Sequence, residues 1–154
     1  MQATVHLLTG AALAVLVPNP TALVPLAIFS HYVLDLLPHI DPETFAEVHK
    51  PYTLRQKLAL ITDVVLVVTL LAAFYFLRND GAIVLLGAVS AQLPDLLIPL
   101  EQYYVLRPLR MVHYQFHWRE SRAQEWSWYI AGLVIPMLIS AGALFVIAYH
   151  QAAS

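Results

Sequence analysis

Five apolar stretches, cut apart by clusters of Pro, Gly and charged residues, organise this chain. The first runs over about 3–17 and ends at Pro18-Asn19-Pro20, which predicts a tight turn into the second, about 21–37. The third, about 54–77, opens with Thr53-Leu54-Arg55-Gln56, a pattern that fits a capping box, and continues through an unbroken Leu/Val run. The fourth follows Arg78-Asn79-Asp80-Gly81 and covers 81–99, and the fifth covers 126–149. A helix needs about 20 apolar residues to cross the hydrocarbon core. The first two stretches are short for that, which implies local thinning of the bilayer or burial among the other helices. Pro25, Pro94 and Pro136 fall inside apolar stretches, where neighbouring helices can satisfy the carbonyls they free. The expected architecture is all-α: a polytopic membrane helical bundle of about five helices, forming a single domain over 1–154.

Composition agrees with that pattern. Of 154 residues, 60% are hydrophobic and 12% charged, whereas a soluble domain is about 45–50% apolar and about 25% charged. A net charge of -2, with pI near 6.3, gives no reason to expect nucleic acid as a partner. Membrane lipid is the expected surrounding. No Lys or Arg precedes the first apolar stretch and no small-residue cleavage pattern follows it, so the N-terminus is expected to stay in the mature protein.

If all five stretches cross, the linkers 38–53 and 100–125 share a side with the N-terminus. Together with the adjoining helix start, that side carries Lys50, Arg55, Lys57, Arg107, Arg110, Arg119 and Arg122, against Arg78 alone on the other. The positive-inside rule then predicts a cytoplasmic N-terminus and an external C-terminus in an inner membrane. The segment 103–118 mixes Tyr103, Tyr104, Tyr114, Phe116 and Trp118 with Arg107 and Arg110, a composition suited to an interfacial helix at headgroup level.

The chemistry resides in polar groups within apolar helices, where a central Asp costs about 2.5–3.5 kcal/mol on insertion scales. These are His6, His31 with Asp35, Asp63, and Gln92 with Asp95. His31 and Asp35 are four residues apart and share a helix face, as do His113 and His117 if their segment is helical. Pro38 ends the second helix near Leu37, which sets His39 just beyond it. In the five-crossing topology all these groups fall toward the cytoplasmic end, leaving only Asp80 and His150 on the other side. The chain has no cysteine, so a metal must be held by His, Asp or Glu. Imidazoles with carboxylates suit zinc, manganese, iron or magnesium, with zinc or a pair of divalent ions favoured. His6, His31, Asp35, Asp63 and Asp95 are the candidate ligands, and His39, His113 and His117 the candidate acid or base groups. Arg107 and Arg110 are placed to hold a phosphate or lipid headgroup.

At Thr4-Val5-His6-Leu7-Leu8-Thr9-Gly10, and at Gly87-Ala88-Val89-Ser90-Ala91-Gln92-Leu93-Pro94-Asp95, the chain resembles a family of small inner-membrane metal-dependent hydrolases. That family's Asp-His after Pro-Asp is replaced here by Leu96-Leu97-Ile98, and its His-Arg-Gly-x-Thr-His stretch corresponds to His113-Tyr114-Gln115-Phe116-His117. The segment His31-Tyr32-Val33-Leu34-Asp35-Leu36-Leu37-Pro38-His39 is also similar, locally, to the His-x-x-x-Asp core of zinc-dependent phospholipase C, whose His and Asp bind zinc. The resemblance implies a zinc-ligand role for His31 and Asp35.

The leading functional expectation is a membrane-embedded metal-dependent hydrolase, acting on a phosphoester or similar bond at the cytoplasmic face, a lipid's included. A metal or proton transporter is the alternative, since intramembrane His and Asp also build ion pathways. A structural membrane protein, in which these groups only lock helices together, is the third. Gly10 and Gly87 are read as close-packing positions.

Overall fold

A computed structural model describes residues 2–39, 53–97 and 126–153, with the backbone alone at 126–129. Among them are five helices: α1 Ala3–Leu16, α2 Pro20–Asp35, α3 Leu54–Leu77, α4 Gly81–Leu97 and α5 Trp126–Ala153. The expected interfacial segment 103–118 lies outside the described residues.

Helix ends follow local chemistry. Pro20 takes the first position of α2, where its missing N–H costs nothing, and the Asn19 side chain accepts from the Thr21 N–H at 3.0 Å. α2 stops at Asp35, two residues before the boundary expected at Leu37, and the Leu37 N–H closes a tighter turn onto the Leu34 carbonyl at 3.0 Å. The capping box of α3 forms as its sequence implies: the Gln56 N–H donates to Thr53 Oγ1, and the Thr53 N–H donates to Gln56 Oε1. Hydroxyls inside helices bond back to their own backbone, Thr9 to the Val5 carbonyl, Thr62 to Leu58 and Thr69 to Val65.

α1 is the hub, in contact with each of the other four helices. Nine of its 14 residues are buried, whereas α3 buries only Phe74. The core gathers Leu7, Leu8, Ala11, Ala14 and Val15 of α1 with Leu23, Val84, Ala88, Ala143 and Ile147. α3 and α5 present Leu58, Ile61, Val64, Val65, Val68, Leu133, Met137, Leu138 and Phe145 outward. Each holds a 24-residue stretch, Leu54–Leu77 and Ile130–Ala153, long and apolar enough to cross a membrane.

α1 and α4 pack antiparallel through small residues. A Cβ on Gly10 would meet the Gly87 carbonyl oxygen at 2.2 Å and Ala91 Cβ at 2.7 Å. One on Gly87 would meet the Gly10 carbonyl oxygen at 2.3 Å and Ala14 Cβ at 2.9 Å. The two Gly-x-x-x-Ala repeats, Gly10/Ala14 and Gly87/Ala91, thus let the backbones touch.

The same four-residue spacing continues past the small residues on each helix. On α1 it leads from Ala14 and Gly10 to His6; on α4, from Gly87 and Ala91 to Asp95; on α2, from Leu23 and Ala27 to His31 and Asp35. Close packing in the middle therefore delivers the polar groups to one end.

The opposite end is closed by Arg78. Its Nε and one terminal nitrogen donate to both oxygens of Asp80, at 2.7 and 2.8 Å, and its other nitrogen reaches the Ile147 carbonyl and Gln151 Oε1. This fork ties the α3–α4 turn to the last turns of α5. The Arg78 guanidinium, hydrogen-bonded to Asp80, holds that carboxyl below its usual value.

Candidate metal centre

Three helices meet at the site. α1 contributes His6 from its first turns, α2 contributes His31 and Asp35 from its last two turns, and α4 contributes Asp95 beside Pro94. His6 and His31 are fully buried, and Asp35 nearly so.

The His31 ring is fixed first. Its Nδ1 lies 2.9 Å from the Ala91 carbonyl oxygen. A carbonyl only accepts, so Nδ1 carries the proton and Nε2 is the nitrogen that faces the cluster. That nitrogen stands 3.1 Å from Asp35 Oδ2 and 3.4 Å from Asp95 Oδ1. The His6 ring stacks on His31 with centroids 4.0 Å apart and an interplanar angle of 23°. Its Nε2 is 3.2 Å from Asp35 Oδ1, and neither of its ring nitrogens makes a hydrogen bond among the described residues. Asp35 therefore sits between two imidazoles, one oxygen toward each.

These separations fit a shared cation. Charge-assisted N–H···O⁻ bonds run about 2.7–2.9 Å. Ligand atoms each about 2.0–2.1 Å from one tetrahedral zinc are about 3.3–3.4 Å from each other. The 3.4 Å between His31 Nε2 and Asp95 Oδ1 falls in the second range, and the 3.1 and 3.2 Å separations from Asp35 suit either a shared cation or an ordinary N–H···O bond. One ligand atom each from His6, His31 and Asp95 lies within 4.8 Å of the others.

Gln92, one turn before Asp95, donates from Nε2 to Asp95 Oδ2 at 2.9 Å, which holds the other carboxylate oxygen toward His31. Its Oε1 is buried without a hydrogen-bond partner among the described residues. Gln92 stands out in the sequence as an amide inside an apolar helix, but nothing local assigns it to Asp95. The carboxylate of Asp95 is 26% exposed, against 0% for the His31 side chain and 1% for that of Asp35, so Asp95 forms the open edge of the cluster.

Asp63, expected among the ligands, is committed elsewhere. Its carboxylate accepts the Ala3 N–H at 2.9 Å, the Thr4 N–H at 3.1 Å and the Thr4 hydroxyl. His39 is buried just past α2, with Nδ1 2.7 Å from the Leu37 carbonyl. His113, His117, Arg107 and Arg110 lie outside the described residues.

No protein-family model, no curated protein and no solved structure matches this chain.

Proposed function

We propose that this protein is a polytopic membrane protein with a divalent metal centre at its cytoplasmic end, and that it hydrolyses a phosphoester or related bond there. The observation that carries the reading is the environment of His31 Nε2. With Nδ1 committed to the Ala91 carbonyl, His31 presents Nε2 to two carboxylates, a setting that calls for positive charge there, supplied by a proton on Nε2 or by a bound cation. Two carboxylates with two neutral imidazoles and one divalent cation make an electrically neutral centre, which an apolar interior tolerates far better than two bare anions. His6, His31, Asp35 and Asp95 would hold the ion, and the oxygen- and nitrogen-only donor set suits zinc first.

When bound, such an ion supplies Lewis-acid activation of water and of a phosphoryl oxygen. The protein supplies the rest. The ring of His31 is locked by Ala91, Asp95 is aimed by Gln92, and the partly exposed edge at Asp95 is where a substrate approaches. The outward-facing Leu93, Leu96 and Leu36 flank that region, which favours a substrate carried in the lipid layer.

Orientation follows from charge. Among the described residues Arg55 and Lys57 stand in the first turn of α3, on the side where α1 begins, while Arg78 at the other end pairs with Asp80. The transporter reading expects polar groups through the full depth. Beyond the site, the described interior instead passes to Leu7, Ala11, Ala14, Leu23, Ala27, Val84 and Ala88, with the Gly10 and Gly87 backbones in contact. That apolar plug favours catalysis at one face over conduction.

The test is elemental analysis of detergent-purified protein, wild type beside His31→Ala and Asp35→Ala. Stoichiometric zinc-type metal in the wild type, lost from both variants while each keeps its helical circular dichroism, is the expected result. A well-folded wild type that stays metal-free after reconstitution overturns the reading. Turnover of a chromogenic phosphodiester by metal-loaded protein in vesicles then separates hydrolysis from a purely structural ion.

A further inference from the structure

α1 begins without a cap of its own. Gln2 occupies the N-cap position and makes no side-chain cap. The leading N–H groups of a helix have no partner within it, and in apolar surroundings they must find one elsewhere. Here they find it on another helix: Asp63 of α3 receives the Ala3 N–H, the Thr4 N–H and the Thr4 hydroxyl together. Its negative charge also faces the positive end of the α1 dipole.

The anchor is set back from the start of α3. Asp63 follows the start of α3 at Leu54 by nine residues, which is about 13.5 Å along the axis at 1.5 Å per residue. α1 therefore starts about two and a half turns along α3 from the end at which α3 begins. His6 is three residues after Ala3, in the first turn of the anchored helix. A slip of α1 by one turn moves His6 by about 5.4 Å, more than the 3.2 Å that now separates it from Asp35.

We propose that Asp63 is a positioning residue: by capping α1 from α3, it sets the depth and rotation at which His6 is presented to His31, Asp35 and Asp95. The glycine contact with α4 fixes how closely α1 approaches, and Asp63 fixes where along its axis it stops. This extends the proposed metal centre by a group that never touches the ion. It also explains a half-buried carboxylate that the ligand set does not use.

The experiment has two arms, so that a failure of the metal reading and a failure of this one are told apart. The first needs no metal. The chain lacks cysteine, so Gln2→Cys introduces a single thiol at the head of α1, and its rate of labelling by a membrane-impermeant maleimide in vesicles reports the depth of that helix. Adding Asp63→Ala is expected to raise the rate at least tenfold, with Asp63→Asn between the two. The second arm is Co²⁺ titration of detergent-purified protein. Asp63→Ala is expected to weaken binding at least tenfold and to shift the visible d–d bands, because His6 no longer meets the ion at the same angle. Thr4→Ala, which removes one of three donors, gives a smaller change in both arms, and Thr4→Ser restores wild-type behaviour.

Should Asp63→Ala fail to fold, the Thr4 pair carries the same comparison. Labelling rates and cobalt spectra unchanged across the Asp63 and Thr4 variants, in folded protein, overturn the proposal. If wild type binds no Co²⁺, the metal centre falls, and the labelling arm alone decides whether Asp63 sets the depth of α1.

Discussion

Gly10 and Gly87 approach so closely that a methyl group on either would sit 2.2 or 2.3 Å from the other's carbonyl oxygen. Backbone cannot yield as a flexible side chain does, so Gly10→Ala or Gly87→Ala has to push α1 and α4 apart. Overpacking of this kind costs about 1–3 kcal/mol. The separation is felt one turn away at His6 and two turns away at Asp95, which lie on the same stripes. Either variant is expected to melt at lower temperature in detergent and to retain less metal than wild type, measured by circular dichroism and elemental analysis on the same samples. Gly142, whose added Cβ would meet nothing within 4 Å, is the matched control and should tolerate Ala unchanged.

Metal removal gives the second prediction. A ligand that binds only the folded state stabilises it by about 2.7 kcal/mol at a free concentration 100 times its dissociation constant. Wild type treated with a chelator should therefore unfold at lower temperature and recover on addition of Zn²⁺. His31→Ala and Asp35→Ala should show neither response. A melting temperature indifferent to Zn²⁺ in wild type contradicts the metal centre.

Gln92→Leu keeps the volume of the side chain and removes its bond to Asp95 Oδ2. Partners that orient a ligand in this way typically contribute 10–100-fold to metal affinity. The expected outcome is a loss of that size in competition with a colorimetric chelator, while the helical content stays the same. Gln92→Glu would place another negative charge against Asp95 and should weaken the site further.

The closed end of the bundle has its own pH dependence. Asp80 is held below its ordinary value chiefly by its hydrogen bonds to Arg78. A carboxyl whose value is depressed on folding stabilises the fold above its unfolded value, about 3.9, and that contribution fades as pH falls through the lower folded value. Asp80→Asn should thus be less stable than wild type at neutral pH, and the gap should close below about pH 4. Thermal melts of the pair across an acid series measure it. A gap that persists unchanged into strong acid would assign the loss to something other than the Asp80 charge.

Much of the fold is legible in the sequence, because helix ends are written in local chemistry. Thr53 with Gln56 announces the start of α3, and Pro18-Asn19-Pro20 the turn between α1 and α2. The convergence of His6, His31, Asp35 and Asp95 follows from placing each at the same end of its stretch, and the four-residue stripes through Gly10, Ala27 and Ala91 carry it further. Asp63 reads differently in the two views. From sequence alone it is one more carboxylate near the site end, because where α1 begins along the flank of α3 is a tertiary relation that no local pattern encodes. Gln92 is similar, since its task depends on which oxygen of Asp95 faces His31.

α1 emerges from the ribosome before any of the helices it touches. At 14 residues it is about 21 Å long, shorter than the hydrocarbon layer, and its first amide protons await a carboxylate made some sixty residues later. Its capping contact thus cannot form until α3 has been made. The closest packing of α1 likewise waits on α4, whose Gly87 backbone it meets.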